Sequence, residues 1–182
     1  MHESDEELDE LDALLARLFA GAGAHLTGII SDDRRLSARD LCRYFVGVKH
    51  LVVATTTARG EPRCSAVDTL FVRGRFWFST SATSSKMIHL ERRPALSGAH
   101  VLGDDVGVFV HGTARIVRGA TEEAAALAPF WREIYGGTPE DWVGAPSDAR
   151  YVEVVPHTIF TYAFNRERFE SLVTIDGMSP SS

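Results

Sequence analysis

The stretch from His50 to Leu90, HLVVATTTARGEPRCSAVDTLFVRGRFWFSTSATSSKMIHL, decides how this chain is read. Val52, Val53 and Ala54, entered from Leu51, make a buried-strand signal. Ala58-Arg59-Gly60-Glu61 reads as a turn, with Gly60 suited to positive φ. Pro62 opens the next run, at a strand start where its missing amide costs no ladder bond. Alternation then places Cys64, Ala66, Asp68, Leu70 and Val72 on one face, and Arg63, Ser65, Val67, Thr69 and Phe71 on the other. Arg73-Gly74 is a short connection, so Phe76, Trp77 and Phe78 pair back as a hairpin. Ser79 to Ser84 reads as a hydroxyl-rich loop. Ser84 or Ser85 then caps a helix carrying Lys86, Met87 and Leu90, stopped by Pro94.

Upstream, Ser4-Asp5-Glu6-Glu7 has the form of a capping box, and Leu8, Leu11, Leu15 and Leu18 recur at helical spacing. This helix ends near Gly21, where GAGAHLTG breaks it. Ser37 is a good N-cap for a second, short helix with Leu41, Tyr44 and Phe45 on one side and Gly47 closing it. Downstream, Ala95 to Leu102 is a weaker strand and Val106 to Val117 a long one. Gly107 and Gly112 mark a bulge or a close backbone approach there. Thr121 caps a helix that Pro129 is expected to kink or divide. Thr138-Pro139 starts one more turn. Tyr151 to Phe164 is a final strand pair, or one strand broken at Pro156, and the tail beyond Asp176 is expected to be disordered.

Strands joined by turns, with helices inserted between them, suggest a mainly β fold built on a small antiparallel barrel. No GxGxxG follows a strand, which disfavours a dinucleotide-binding Rossmann domain. The expected organisation is an N-terminal helical extension over 1–35, a barrel domain over 36–175 and a tail over 176–182. The 182 residues, 45% hydrophobic, suffice for one ordinary core. A net charge of −6 disfavours nucleic acid, whose binders are usually basic. The acidic residues Glu3 to Asp12 read as a solvated helix face. No apolar run approaches a membrane span, and no basic segment precedes an apolar one as in a signal peptide, so a cytoplasmic location is expected. Cys42 and Cys64 are far apart and read as free structural thiols. The seven histidines show no HxxxH-type spacing, so no metal site is expected.

Chemistry concentrates where the aromatic hairpin meets the lysine-bearing helix. A phosphate monoester is best held by several donors and at least one cation. Ser79, Thr80, Ser84, Ser85 and Lys86 supply these, and the helix start adds free amides and its positive dipole end. Arg63, on the neighbouring strand, can approach the same anion. An ordinary polar loop with two surface charges is the rival reading of the spacing.

The ordered pieces LVVATTT, ARGEPR, CSAVDTLFV, RFWFST, SSK with HLERRP, VFVHGTARIV and RYVEVVPHTIFTYAF resemble the FMN-binding split-barrel family related to pyridoxamine 5′-phosphate oxidase, from about Leu36 to Phe164. That resemblance implies a six-stranded antiparallel split β-barrel, a homodimer with FMN in the interface cleft, and redox chemistry on a small organic substrate. It implies that Arg63 and Lys86 hold the phosphate, that Ser79, Thr80 and Ser85 add hydrogen bonds, and that the backbone near Val67, Asp68 and Thr69 runs beside the flavin ring. Trp131 or Trp142 is a candidate cover for the ring. Asp68 stands where relatives carry an apolar or aromatic residue, and residues that would bind pyridoxamine phosphate are not recognisable. Some relatives use a deazaflavin, coenzyme F-420, instead of FMN. A flavin- or haem-binding sensor without turnover is a further alternative, with His111 or His157 as axial haem candidates. No catalytic acid or base is assigned.

Overall fold

In the computed structural model, which describes residues 3–20 and 30–176, six antiparallel strands close into a barrel. They are β1 (Lys49–Thr56), β2 (Pro62–Val72), β3 (Arg75–Ser81), β4 (Ala95–Leu102), β5 (Val106–Arg118) and β6 (Ala149–Tyr162), arranged in the order β1-β2-β3-β6-β5-β4. The described helices are α1 (Asp5–Ala20), α2 (Ala38–Tyr44), α3 (Ser85–Arg92), α4 (Glu122–Tyr135), α5 (Pro139–Trp142) and α6 (Arg166–Asp176). No described helix is long and apolar enough to cross a membrane.

The turns behave as their residues dictate. Gly60 has φ +82 in the β1–β2 turn, and Arg73 and Gly74 have φ 51 and 70 between β2 and β3. Two consecutive left-handed residues are what a two-residue hairpin loop needs to match strand twist. Pairing Val72 with Arg75 then sets the hairpin register. On β5, a Cβ at Gly112 would lie 2.1 Å from the Val155 carbonyl oxygen. The ladder slips there: His111 faces Thr158 while Gly112 faces Pro156, so β6 is one bulged strand and not two.

Alternation sorts the side chains into two clusters. Inside the barrel lie Leu51 and Val53, Val67 and Phe71, Phe76 and Phe78, Val108 and Val110, and Val152 and Val154. Helix α3 adds Met87 and Leu90 to this core, and Leu8, Leu11 and Leu15 of α1 join the same cluster. Outside, α4 lays Ala124, Leu127 and Trp131 over Leu70, Val72, Trp77 and Tyr151. The second half of β2 is therefore buried on both faces, whereas Cys64, Ala66 and Asp68 stay exposed.

The helix starts follow their caps. Ser4 and Glu7 bond reciprocally at 2.9 and 3.2 Å, and Ser37 and Asp40 do so at 3.0 and 3.1 Å. Two expectations need correction, and one element is added. Ser79, Thr80 and Ser81 belong to β3, because β6 extends the ladder by pairing them with Tyr151, Arg150 and Ala149. Helix α4 runs unbroken through Pro129; the carbonyl that the ring leaves unbonded belongs to Ala125, an exposed residue, and water can serve it. Helix α6, not anticipated from the pattern, is started by Asn165, whose Oδ1 accepts from the Arg168 amide at 2.9 Å. The GAGAHLTG break and the tail beyond Asp176 lie outside the described residues.

A polar thread ties α2 to the barrel. Tyr44 and Phe169 of α6 stack at 5.7 Å, and the Tyr44 hydroxyl lies 2.9 Å from His100 Nε2. His100 Nδ1 is 2.9 Å from the His50 carbonyl oxygen. A carbonyl only accepts, so Nδ1 carries the proton, Nε2 accepts, and Tyr44 donates. Burial pushes the His100 pKa below its ordinary value, the nearby Lys49 and His50 push the same way, and the bond to the His50 carbonyl opposes them. The unfolded chain thus takes up a proton at pH values where folded His100 does not, and stability falls as pH drops through the ordinary histidine range.

Two outcomes are expected. In urea titrations, the loss of unfolding free energy between about pH 7.5 and 5.5 should be smaller in His100→Gln than in the parent; equal losses would exclude the histidine as the cause. Phe169 is fully buried, so Phe169→Ala should cost about 3–5 kcal/mol, and a cost near zero would show that α6 does not support the barrel.

Candidate functional site

The inward-facing rows of β1 and β2 change character toward one end of the barrel. Along β1 the row runs Leu51, Val53, Thr55, and along β2 it runs Phe71, Thr69, Val67, Ser65, Arg63, with the Thr69 hydroxyl bonded to the Trp77 carbonyl. Apolar residues fill the interior, and hydroxyls and a guanidinium occupy the mouth. Thr55 pairs directly with Arg63 in the ladder. Helix α3 closes this mouth, with Met87 and Leu90 in the core and Lys86 and His89 at its edge. Thr55, Thr57, Arg63, Cys64, Ser65, Ser85, Lys86 and His89 together line a cleft of about 260 Å³.

Its hydrogen bonds are specific. Ser84 is the N-cap of α3, its Oγ accepting from the Met87 amide at 3.3 Å. The Thr80 hydroxyl donates to Ser84 Oγ at 2.8 Å, and Lys86 Nζ reaches Thr80 Oγ1 at 3.5 Å. The amides of Ser85 and Lys86 have no intrahelical acceptor, being in the first turn. His89 Nδ1 is 2.9 Å from Thr55 Oγ1. Arg63 donates to Glu61 Oε2 at 2.8 Å and to the Pro62 carbonyl at 3.3 Å. The Arg63–Glu61 pair is about half exposed on both sides, and such pairs contribute only about 0–1 kcal/mol. An incoming anion can compete for Arg63 at little cost.

Of the residues expected from sequence, Arg63, Ser85 and Lys86 meet in this cleft, and Thr80 adjoins it through Lys86. Ser79 does not join them: strand alternation sets it on the face of Trp77, opposite Phe78 and Thr80. Val67 is buried in the barrel. Thr69 is also buried, and its hydroxyl donates to the Trp77 carbonyl at 2.9 Å. Both offer only backbone to a ligand. Asp68 faces outward, half-exposed, 3.0 Å from His50 Nε2. Beside it the Tyr135 hydroxyl lies 3.1 Å from the carbonyl oxygens of both Lys49 and Thr69. Burial, then the charge of Asp68, pushes the Tyr135 pKa up to about 12, which keeps this donor protonated.

Trp131 is fully buried under α4, whereas Trp142 is half-exposed and stands edge-on to Trp131 and Tyr135, 6.3 Å from each. Of the two, Trp142 presents a ring surface to solvent. His111 and His157 are both exposed, and His111 Nδ1 lies 2.7 Å from Ser97 Oγ. Both cysteines are free. Cys42 is buried, and desolvation together with Glu3 pushes its thiol up to about 12, while Cys64 is exposed at the cleft and so is not the buried structural thiol expected. Thr55, Thr57, Ser65 and His89 escape a reading centred on the loop. The spacing of Lys86 and His89, one helical turn apart, is the signal that points to the last of them.

No curated protein matches the chain. Solved structures share its fold at low identity. A conserved hypothetical protein from Mycobacterium tuberculosis superposes with a TM-score of 0.62 at 21% identity, covering 84% of this chain and 95% of that one. HutZ, the haem storage protein from Vibrio cholerae, gives 0.56 at 19% identity over 65% and 89% of the two chains. An F420 reductase gives 0.50 at 17% over 64% and 92%. The family profile described as pyridoxamine 5′-phosphate oxidase matches residues 38–163, a span that takes in all six strands, α3 and the whole cleft. On that match, which covers more than half of its length, this chain belongs to the pyridoxamine 5′-phosphate oxidase family.

Proposed function

We propose that the chain is an FMN-binding oxidoreductase acting on a small organic substrate, with the cofactor phosphate held in the cleft beneath α3. One observation carries this reading: Arg63, Ser65, Ser85 and Lys86 converge there at the start of a helix. The donor set fits a phosphate monoester. Lys86 and Arg63 neutralise its charge, the Ser65 and Ser85 hydroxyls donate to its oxygens, and the first-turn amides of α3 add donors backed by the helix dipole. Thr80 holds Lys86 in place. A bound flavin would supply hydride transfer, and the protein placement and electrostatics.

In this reading the rest of the cofactor follows the backbone of Val67, Asp68 and Thr69, and a second copy of the chain completes the cleft. The Asp68 carboxylate then disfavours negative charge on the adjacent ring. Ser79, on the opposite face of its strand, is not part of the proposed site. The deazaflavin coenzyme F-420 also carries a phosphate on its ribityl chain, there as a diester, so the same donors can serve it, and a deazaflavin-dependent reductase is the second reading.

The absorbance spectrum of the protein as purified, with cofactor extraction and mass measurement, tests the proposal. A flavin spectrum and the mass of FMN are expected. A haem Soret band, or tight deazaflavin binding that displaces FMN, would overturn the assignment. Lys86→Ala should weaken FMN binding by about 1.5–3 kcal/mol, as loss of a charged hydrogen bond does; an unchanged dissociation constant would remove Lys86 from the site. Arg63→Ala should act in the same direction, and the double variant should lose less than the sum because both cations serve one anion. Light scattering should give a dimer mass, and a monomer would count against a shared cleft.

A further inference from the structure

We propose that His89 is a third anion-binding group of this cleft, donating through Nε2 to the phosphate that Arg63 and Lys86 hold, and that it makes the grip tighten toward acid pH. The inference rests on the phosphate reading of the cleft.

Lys86 and His89 are one turn apart on α3, so their side chains emerge on the same side of the helix. Both line the cleft. The ring of His89 is fixed by the bond between Nδ1 and Thr55 Oγ1 at 2.9 Å. Thr55 is itself buried, with 3% exposure, and is the ladder partner of Arg63. One bond thus ties the imidazole to the residue directly across from the arginine.

The kind of partner matters. A hydroxyl can donate or accept. In the neutral tautomer that suits an anion, the ring proton sits on Nε2 and Thr55 donates to Nδ1. With imidazolium, Nδ1–H donates to Thr55 Oγ1 and Nε2 keeps its proton. Nε2 is a donor in both states, so protonation breaks no bond within the protein and adds a positive charge. His100 is the opposite case: its Nδ1 faces a carbonyl and its Nε2 must accept from Tyr44. The chain holds one histidine that a proton would disrupt and one that can take a proton in place.

The groups around His89 set the coupling. Lys86 comes from its own helix, whose C-cap Arg93 reaches the Ala58 carbonyl of the β1–β2 turn; Arg63 and Cys64 come from β2; Glu61 bonds both Arg63 and Thr57; β1 contributes the hydroxyl of Thr55, and the turn after it that of Thr57. A bound phosphate brings negative charge to the imidazole and favours its protonated form. Anion binding and proton uptake therefore favour each other, and each must strengthen the other to the same extent.

The test measures dissociation constants for FMN and for inorganic phosphate in the full chain, its His89→Ala and its His89→Gln variants, at about pH 5.5 and about pH 8.0, the span over which imidazole changes charge. The ratio of variant to parent cancels the titration of the phosphate itself. His89→Ala should weaken binding roughly tenfold or more at the acid pH and roughly two- to tenfold at the alkaline one. His89→Gln keeps a donor without the charge, so it should match the parent at the alkaline pH and fall behind at the acid pH. A His89→Ala ratio of one at both pH values, or ratios equal at both pH values for either variant, would overturn the proposal. Phosphate showing the pH-dependent ratio while FMN fails to bind would sink the FMN reading and leave His89 standing. A parent that binds neither ligand would remove both.

Discussion

The register of β1 on β2 is the constraint on which the rest of this structure depends. Thr55 opposite Arg63 is one rung of a ladder that also sets Leu51 opposite Val67 inside the barrel. Strand side chains alternate with a period of two, so a slip of one residue would turn Arg63 and Ser65 off the face they share with Val67 and put Ala66 on it. Two features prevent it. Val67 and Phe71 are buried in the core, and charge or solvent exposure at those positions would be costly. Gly60 supplies the positive φ that fixes the length of the turn. The apolar core and the polar mouth are two ends of the same side-chain row, and the packing energy of one end positions the chemistry of the other.

Helix α3 is fixed by the same economy of parts. Met87 and Leu90 anchor it in the core, and the Ser84 cap defines its first turn. With those points set, Lys86 and His89 have one direction left to them, the rim of the mouth. The anchor residues and the binding residues alternate along a helix of eight residues, so none of the four can move without moving the others.

Much of this was legible in the sequence because it is periodic and local. The two-residue hairpin at Arg73-Gly74, the alternation along β2 and the serine-capped helix are each written in a few neighbouring residues. What was not legible depends on distant partners. Ser79 to Ser81 read as a loop because hydroxyl side chains do not announce a strand; β6, about seventy residues onward, makes them one. Pro129 reads as a break, but the carbonyl its ring leaves without a helical donor is that of Ala125, an exposed residue. Thr55 and His89 are ordinary residues in the sequence, and they become part of the site only when α3 folds across β1. Ser79 differs in the other direction: it carries a hydroxyl at the right point in the chain, and strand alternation turns it to the face of Trp77, away from Thr80.

The filled barrel also dictates where a ligand can go. Large barrels carry ligands inside, but here Leu51, Val53, Phe78, Val108 and Val110 occupy that space. An anion gripped at the mouth must lead the remainder of its molecule along the outer wall. The wall nearest Arg63 is the exposed face of β2, where Cys64, Ala66 and Asp68 stand. Beside it, Val52 of β1 and Val101 of β4 are each about half exposed, and Val52 sits between Ala66 and Ala99 in the sheet. This strip of small and branched apolar residues adjoins the cleft through Cys64 and carries Asp68 at its far end. In the proposed dimer it is the surface a second copy would cover, enclosing a ring laid against β2. In that proposal the polar mouth is the anchor and the apolar wall is the face to be covered.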